Sequence, residues 1–361
     1  MTKTCAAAVI LALSCGPAAA AGPGDPALAR AFRAECAARS KAADEAGTMT
    51  VTGADGWLFF DGELRHVAAG EFWGEAAEKA SRAAGNKDPL PAILDYHAQC
   101  DKLGIELILL PVPPKAVVYA DKLCARVRPD AKGVPPRLDE AHQAFYKLLR
   151  EKGVTVLDLT DDFLAARARR DAPPMYCRQD THWSGRACIH AAGRITERVR
   201  DRPWVRAIRR RPYASEDTPV RIRGDLWRDL KGAKPPRETL PLRFVGTKGA
   251  MGLVPPEPDA NAPVLLLADS HGLVFHLGGD MHARGAGLPD QLALAFGCPI
   301  ERVAVKGSGA TPARISLYRK QKRLGPAYLK SKKLILWCFA ARELTESAGW
   351  RKVPVTRSVP R

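Results

Sequence analysis

Five short strand-like runs, each hemmed by turn residues, constrain this chain more than any other feature. They are 105–110 (IELILL), 154–159 (VTVLDL), 264–268 (VLLLA), 301–305 (ERVAV) and 333–339 (KLILWCF). The apolar runs 105–110, 154–159 and 264–268 read as strands buried on both faces, and 301–305 and 333–339 as a fourth and a fifth strand. Helical patterns fall between them. Asp25-Pro26, Asp88-Pro89 and Thr311-Pro312 open helices by N-cap and first-turn logic; Gly104 closes the second of these, and Gly153 closes an amphipathic helix over 137–152. Strands alternating with helices make βαβ units, so the expected fold is α/β: a mostly parallel five-stranded sheet between two helical layers.

In an open parallel sheet, sites form beyond the carboxyl ends of the strands. The segments leaving the five runs are 113–115, the stretch leading to Asp180-Thr181-His182, Asp269-Ser270-His271, Gly307-Ser308-Gly309, and 340–343. All five therefore collect at one edge. Asp180 and His182 stand two apart, so in an extended or turn segment their side chains share a side. A carboxylate there fixes which imidazole nitrogen carries the proton, which is the orienter-and-base half of a nucleophilic triad. Alone, an Asp-x-His pair is more often a surface hydrogen bond. Ser270, coming straight off a strand at the same edge, supplies the missing nucleophile. The Ser270 N–H and that of Gly307 or Gly309 are candidates for an oxyanion hole. Trp183 walls the pair from water, and Ser184 caps a helix running to about 200. Asp269 braces its loop, and His271 is a rival base with an awkward geometry. The Gly-x-Ser-x-Gly elbow is absent, which argues against an ordinary α/β-hydrolase. No metal site and no cofactor are expected, since no Cys-x-x-Cys spacing occurs.

Charge and the amino terminus narrow the partners. The net charge of +17 suits nucleic acid, an acidic polysaccharide or a membrane surface. Lys3, the apolar stretch 6–13 and the small residues 18–21 read as a secretory signal cleaved after about Ala21, ahead of a lipoprotein site at Cys15 or a retained signal anchor. Export to the periplasm removes nucleic acid from the partners. Of nine cysteines, Cys5 and Cys15 fall in the signal, leaving seven. An odd number leaves at least one free or paired between chains, and a Cys177–Cys188 staple is conceivable. Residues 49–64 read as a small hairpin whose aromatic face, Trp57, Phe59 and Phe60, plugs the core. Residues 201–262, rich in Arg and Pro, read as an insertion of short strands and loops within one domain spanning 22–361. Its charge is either a solvated face or a contact for an anionic substrate.

Several blocks together resemble the SGNH-hydrolase-like alginate O-acetyltransferases of the AlgX and AlgJ type: Gly56-Trp57-Leu58-Phe59, Pro111-Val112-Pro113-Pro114-Lys115, Asp180-Thr181-His182-Trp183, Ala268-Asp269-Ser270, Gly307-Ser308-Gly309, and 337–342. They occur in the family's order, with the Asp-His pair ahead of the serine. The resemblance implies an SGNH-like three-layer αβα fold and transfer of acetyl groups to an exported polysaccharide in the bacterial periplasm. It implies Ser270 as nucleophile, His182 as base, Asp180 as its partner, and a membrane O-acyltransferase as acetyl donor partner. Lys115 and Arg342 are candidates for carboxylates of an anionic, alginate-like glycan, or else members of structural ion pairs. The chain departs from the family at Ala268, where glycine is frequent, and at His271, where an aromatic is usual. It also lacks a Gly-x-Asn-Asp block and a following carbohydrate-binding module, which brings it nearer the AlgJ layout. A carbohydrate acetylesterase and a non-catalytic glycan-binding or assembly protein remain the alternatives.

Overall fold

A computed structural model describes residues 25–169, 171–230 and 234–356; the expected signal segment 1–21 lies outside the described residues. The described strands are β1 (Thr50–Thr52), β2 (Leu58–Phe60), β3 (Glu106–Val112), β4 (Thr155–Val156), β5 (Ala214–Ile222), β6 (Glu238–Gly249), β7 (Gly252–Val254), β8 (Val264–Ala268), β9 (Glu301–Ala304) and β10 (Leu334–Ala340). The five expected runs form one sheet in the order β4-β3-β10-β8-β9, with every neighbouring pair parallel. All five carboxyl ends therefore face one edge.

Strand residues alternate between faces, and the core divides accordingly. Ile108, Leu110, Leu266, Leu336 and Cys338 join one buried cluster with helices Pro26–Glu45, Gly185–Val199 and Leu288–Phe296. Leu107, Leu109, Leu265, Leu267, Ile335 and Trp337 join the other, with helices Pro89–Lys102, Glu140–Glu151 and Thr311–Leu324. This is the expected α/β three-layer arrangement.

Three elements differ from expectation. The run 154–159 pairs only at Thr155–Val156, because Asp158 turns the chain: its Oδ1 accepts from the Thr160 N–H at 3.0 Å, and its carboxylate binds Arg137. That same Arg137, clamped by Asp139, Asp158 and Asp161, delays the following helix to Glu140. The 49–64 hairpin gives way at Asp61 to a helix, Asp61–Ala69. Its aromatics do plug the core: Trp57 stacks on Tyr119 at 3.8 Å and Phe59 is fully buried. Residues 201–262 hold not short strands but a long antiparallel hairpin, with nine residues in β5 and twelve in β6, extended by β7. Leu240 and Leu242 of β6 enter the same core cluster as helix Gly185–Val199, and Gly185 permits the approach, since a Cβ there would meet Leu242 at 2.6 Å.

The seven cysteines from Cys36 to Cys338 are all buried and free. The Cys177–Cys188 staple is not formed; Cys177 Sγ instead contacts the Trp183 carbonyl at 3.6 Å, and Cys188 is spent on the core.

Candidate active site

The serine turn is built by the residue before it. Asp269 directly follows β8, and its Oδ2 accepts from the Ala340 N–H at the end of β10, at 2.7 Å. Its Oδ1 accepts from the His271 N–H at 2.8 Å and caps the 3-10 turn Ser270–Gly272. Gly272 lets that turn close: a Cβ there would stand 2.5 Å from Ala268 Cβ. Ser270 is thus pinned at the rim, 8% exposed.

The Asp-His loop is folded back on itself. Tyr176 and Trp183 pair across it, the Cys177 N–H donates to the His182 carbonyl at 3.2 Å, and the Ser184 N–H to the Met175 carbonyl at 2.9 Å. Ser184 caps helix Gly185–Val199 through the Ala187 N–H. Trp183 is buried, and its Nε1–H donates to the His271 carbonyl at 3.0 Å, so it latches this loop onto the serine turn. Lys115 supports the loop from below. It is 1% exposed, and its Nζ donates to the carbonyls of Leu58 (2.6 Å), Arg178 (3.0 Å) and Asp180 (2.9 Å). Lys115 is therefore not a rim cation for substrate, nor an ion-pair member. It satisfies the buried carbonyls of Leu58 and Asp180 and shares the Arg178 carbonyl with the Leu58 N–H, which donates to it at 2.9 Å.

These supports bring Ser270, His182 and Asp180 together. His182 Nε2 lies 2.8 Å from Ser270 Oγ, and His182 Nδ1 lies 2.6 Å from Asp180 Oδ1. With a carboxylate at Nδ1, that nitrogen carries the proton and Nε2 is left to accept from the hydroxyl. Burial works against an imidazolium at His182, but Asp180 outweighs it and holds the imidazole pKa above its ordinary value. Burial likewise pushes Asp180 up. Its partners His182 and His282 overcome that and hold it well below the usual carboxylate range. A hydroxyl, a basic imidazole nitrogen and an ionised orienter in one line are the parts of acyl transfer through serine.

Two contributors had no signal in the sequence. Asp180 Oδ2 accepts from the Asp225 N–H and from His282 Nε2, both at 2.9 Å. Asp225 comes from the long insertion, and glycine makes its approach possible. A Cβ on Gly224 would lie 1.8 Å from the Gln179 carbonyl oxygen. The Asp225 carboxylate takes the Thr181 N–H and hydroxyl and sits 3.9 Å from His182 Nδ1. Nothing about Gly224 or His282 as residue types foretells these contacts.

The remaining candidates divide. His271 binds Asp269 through Nδ1 at 3.2 Å, with its ring 4.9 Å from that of His182; the base position beside Ser270 Oγ is taken by His182. Gly309 packs against the serine's flank, where a Cβ would meet Phe339 Cβ at 2.6 Å and the Asp269 nitrogen at 3.1 Å. Gly307 is exposed in the preceding turn at φ +87°, so its glycine serves the turn. Arg342 is half-buried, lies 5.4 Å over the Phe60 ring, and has one buried terminal nitrogen without a partner among the described residues. Its charge is felt at His182, Asp269 and Glu343, and it forms no ion pair among the described residues.

A cleft of about 360 Å³ opens beside the triad, with Asp180 and His182 in its lining. Arg221, Arg223, Arg228 and Arg237 of the insertion line it, all exposed, and none pairs with a carboxylate among the described residues. Arg223 and Lys234 flank the Trp227 ring at 4.1 and 4.3 Å. Asp180, His182 and Asp225 offer ligand atoms within 4.8 Å of one another, a spacing that a cation accepts. Each is already spent on hydrogen bonds to the others or to backbone, so the set fits a triad with its support.

Comparison with known proteins agrees with this architecture. The family described as the SGNH hydrolase-like domain of acetyltransferase AlgX matches residues 50–340. The probable alginate O-acetylase AlgJ of Pseudomonas aeruginosa is 26% identical over 151 residues, covering 42% of this chain and 33% of that protein. Its Pseudomonas putida counterpart is 30% identical over 150 residues, covering 41% and 33%. The matched segment thus spans about a third of the length of these relatives. Among solved structures, the O-acetyltransferase domain of Pseudomonas putida AlgJ superposes with a TM-score of 0.58 at 22% identity, covering 82% of this chain and 92% of that one. Pseudomonas aeruginosa AlgX superposes with a TM-score of 0.54 at 16% identity, covering 83% and 66%; both share the fold. No helix among the described residues is long and apolar enough to cross a membrane. With a family match running from β1 to the end of β10, the chain belongs to the AlgX-type SGNH hydrolase-like acetyltransferases.

Proposed function

We propose that this chain is an O-acetyltransferase that moves acetyl groups onto hydroxyls of an exported, anionic, alginate-like polysaccharide in the periplasm, through an acetyl-serine intermediate. The observation that carries the reading is the unbroken line from Asp180 Oδ1 to His182 Nδ1 (2.6 Å) and from His182 Nε2 to Ser270 Oγ (2.8 Å). In the first half-reaction Ser270 Oγ attacks the acetyl carbonyl carbon of the donor while His182 Nε2 takes the hydroxyl proton. The tetrahedral intermediate collapses, the donor's leaving group departs with that proton, and acetyl-Ser270 remains. In the second, a sugar hydroxyl gives its proton to His182 and attacks the acetyl carbon. Ser270 leaves and recovers the proton. Asp180 stabilises the imidazolium in both. The Ser270 N–H and a donor from the Gly307–Gly309 turn are the candidates for holding the developing oxyanion, with Arg342 as a source of positive charge.

The acceptor's charge is read from the cleft. Four unpaired arginines beside His182 suit carboxylates, because a guanidinium fork binds carboxylate in bidentate fashion. This assigns to the insertion the role first considered for Lys115. Two half-reactions outside the cytoplasm require an acetyl source there, for which a membrane O-acyltransferase partner is the candidate. Export follows from the segment 1–21, and 22–361 acts as one acetyltransferase domain. Incubation with an acetyl-ester chromogen, with and without an oligouronate, tests the reading. Acetylated sugar in the mass spectrum supports transfer; free acetate alone makes the protein an esterase; neither product makes it a binding or assembly protein.

A further inference from the structure

We infer that His282 is a positioning residue of the reaction: a second histidine on the triad aspartate, which fixes the carboxylate plane and ties the cleft wall to the base. The inference deepens the triad reading above. Asp180 divides its oxygens cleanly. Oδ1 receives the His182 N–H at 2.9 Å and Nδ1 at 2.6 Å, whereas Oδ2 receives His282 Nε2 and the Asp225 N–H. A carboxylate held at both oxygens cannot rotate about its Cβ–Cγ bond, so Oδ1 stays aimed at the imidazole it orients. With the carboxylate as acceptor, His282 carries its proton on Nε2.

The backbone around His282 is arranged for this contact. His282 has φ +69°, a left-handed conformation that a non-glycine residue holds only when its surroundings impose it. Phe275 at φ +58° and the glycines 278 and 279 share that region of conformational space within eight residues. Three short backbone bonds lock the excursion: Phe275 N–H to Met281 carbonyl (2.8 Å), Gly278 N–H to Ala283 carbonyl (2.7 Å) and Ala286 N–H to Phe275 carbonyl (2.7 Å). The Phe275 ring backs the imidazole at 5.8 Å between centroids. The segment 279–282 also lines the arginine-bordered cleft. An acceptor pressing on that wall therefore bears on the Asp180 carboxylate through one side chain.

The charged groups facing this arrangement come from several elements. The Asp-His loop contributes Asp180 and His182; the insertion contributes Asp225 and the cleft arginines 221, 223, 228 and 237. Asp280, from the same turn, is paired with Lys306. The His271 ring lies 4.9 Å from that of His182, and the charge of Arg342 also reaches His182. Losing the His282 donor leaves Asp180 Oδ2 with the Asp225 N–H alone. The carboxylate then shares less of its charge with His282 and more with His182, which raises the imidazole's affinity for a proton.

The test uses the full chain and p-nitrophenyl acetate, which needs no sugar acceptor. In H282A the account expects kcat to fall ~10–100-fold, the range for removing a partner that orients a catalytic ligand. It expects KM to stay within about twofold and the acid limb of the kcat/KM profile to move to higher pH. In H282Q an amide N–H reaches the same oxygen, and both kcat and the limb return towards wild type. Wild-type kcat and acid limb in H282A overturn the inference. So does an equal loss in H282A and H282Q with an unmoved limb, which is what a purely structural role gives. S270A in the same assay separates the two claims: a fully active S270A ends the triad reading, whereas an inactive S270A with a wild-type-like H282A ends only this one.

Discussion

Replacing Lys115 by methionine is the sharpest probe of how the Asp-His loop is held. Methionine keeps most of the stem and removes the ammonium. The buried carbonyls of Leu58 and Asp180 then lose a donor now at 2.6 and 2.9 Å, whereas that of Arg178 keeps the Leu58 N–H. An orphaned buried acceptor costs ~1–3 kcal/mol. The lower end for each of the two gives a loss of about 2 kcal/mol, since sparing the ammonium its burial offsets part of the damage. That is a large share of the ~5–15 kcal/mol that holds a typical domain together. The Trp57 and Phe59 rings, 5.3 and 5.5 Å from Nζ, lose their cation contact as well. Urea unfolding at constant m-value reads the stability, and p-nitrophenyl acetate turnover reads the loop, with at least a tenfold loss expected because Asp180 is one of the residues released. A variant within ~0.5 kcal/mol of wild type, weakened only towards an anionic oligosaccharide, would refute the reasoning and return Lys115 to the substrate.

Two further outcomes follow from the electrostatics. In D180N the imidazole loses the carboxylate that holds its pKa up; the acid limb of kcat/KM then moves to lower pH while kcat falls by about 10⁴-fold, the scale of removing a triad aspartate's charge. Glu343, which accepts from the Ser308 hydroxyl at 2.6 Å, is pushed up to about 7 by burial and by Asp269. A carboxyl that keeps its proton longer when folded adds stability below its unfolded pKa of 4.5 and loses it as pH rises through about 7. At ~1.4 kcal/mol per pH unit across that interval, E343Q should exceed wild type by about 3 kcal/mol at pH 8 and match it at pH 4. Paired urea curves at the two pH values check this, and equal differences at both would contradict it.

The parts legible in the sequence were those governed by local pattern. VLLLA matches the structure residue for residue, because a strand buried on both faces is dictated by its own side chains. Asp180, His182 and Ser270 were legible because strand ends of a parallel sheet share an edge. The long hairpin β5–β6 was not: Pro219 faces Pro241 within it, and arginines interrupt its alternation, so it reads as loop. Lys115 was misplaced because it follows a strand towards the functional edge, yet the loop that buries its ammonium arrives from residues 178–180. Asp225 and His282 reach Asp180 across 45 and 102 positions, contacts that only the assembled tertiary structure creates.

The covalent intermediate is the account's central claim, and acyl-enzyme trapping addresses it most directly. Brief exposure of the protein to an activated acetyl ester, acid quench and peptide mass spectrometry would locate the adduct. The account predicts acetyl on the peptide carrying Ser270, discharged on adding an oligouronate and absent in S270A. An active enzyme with no acetyl at Ser270, or an S270A variant that turns over as wild type does, would contradict it.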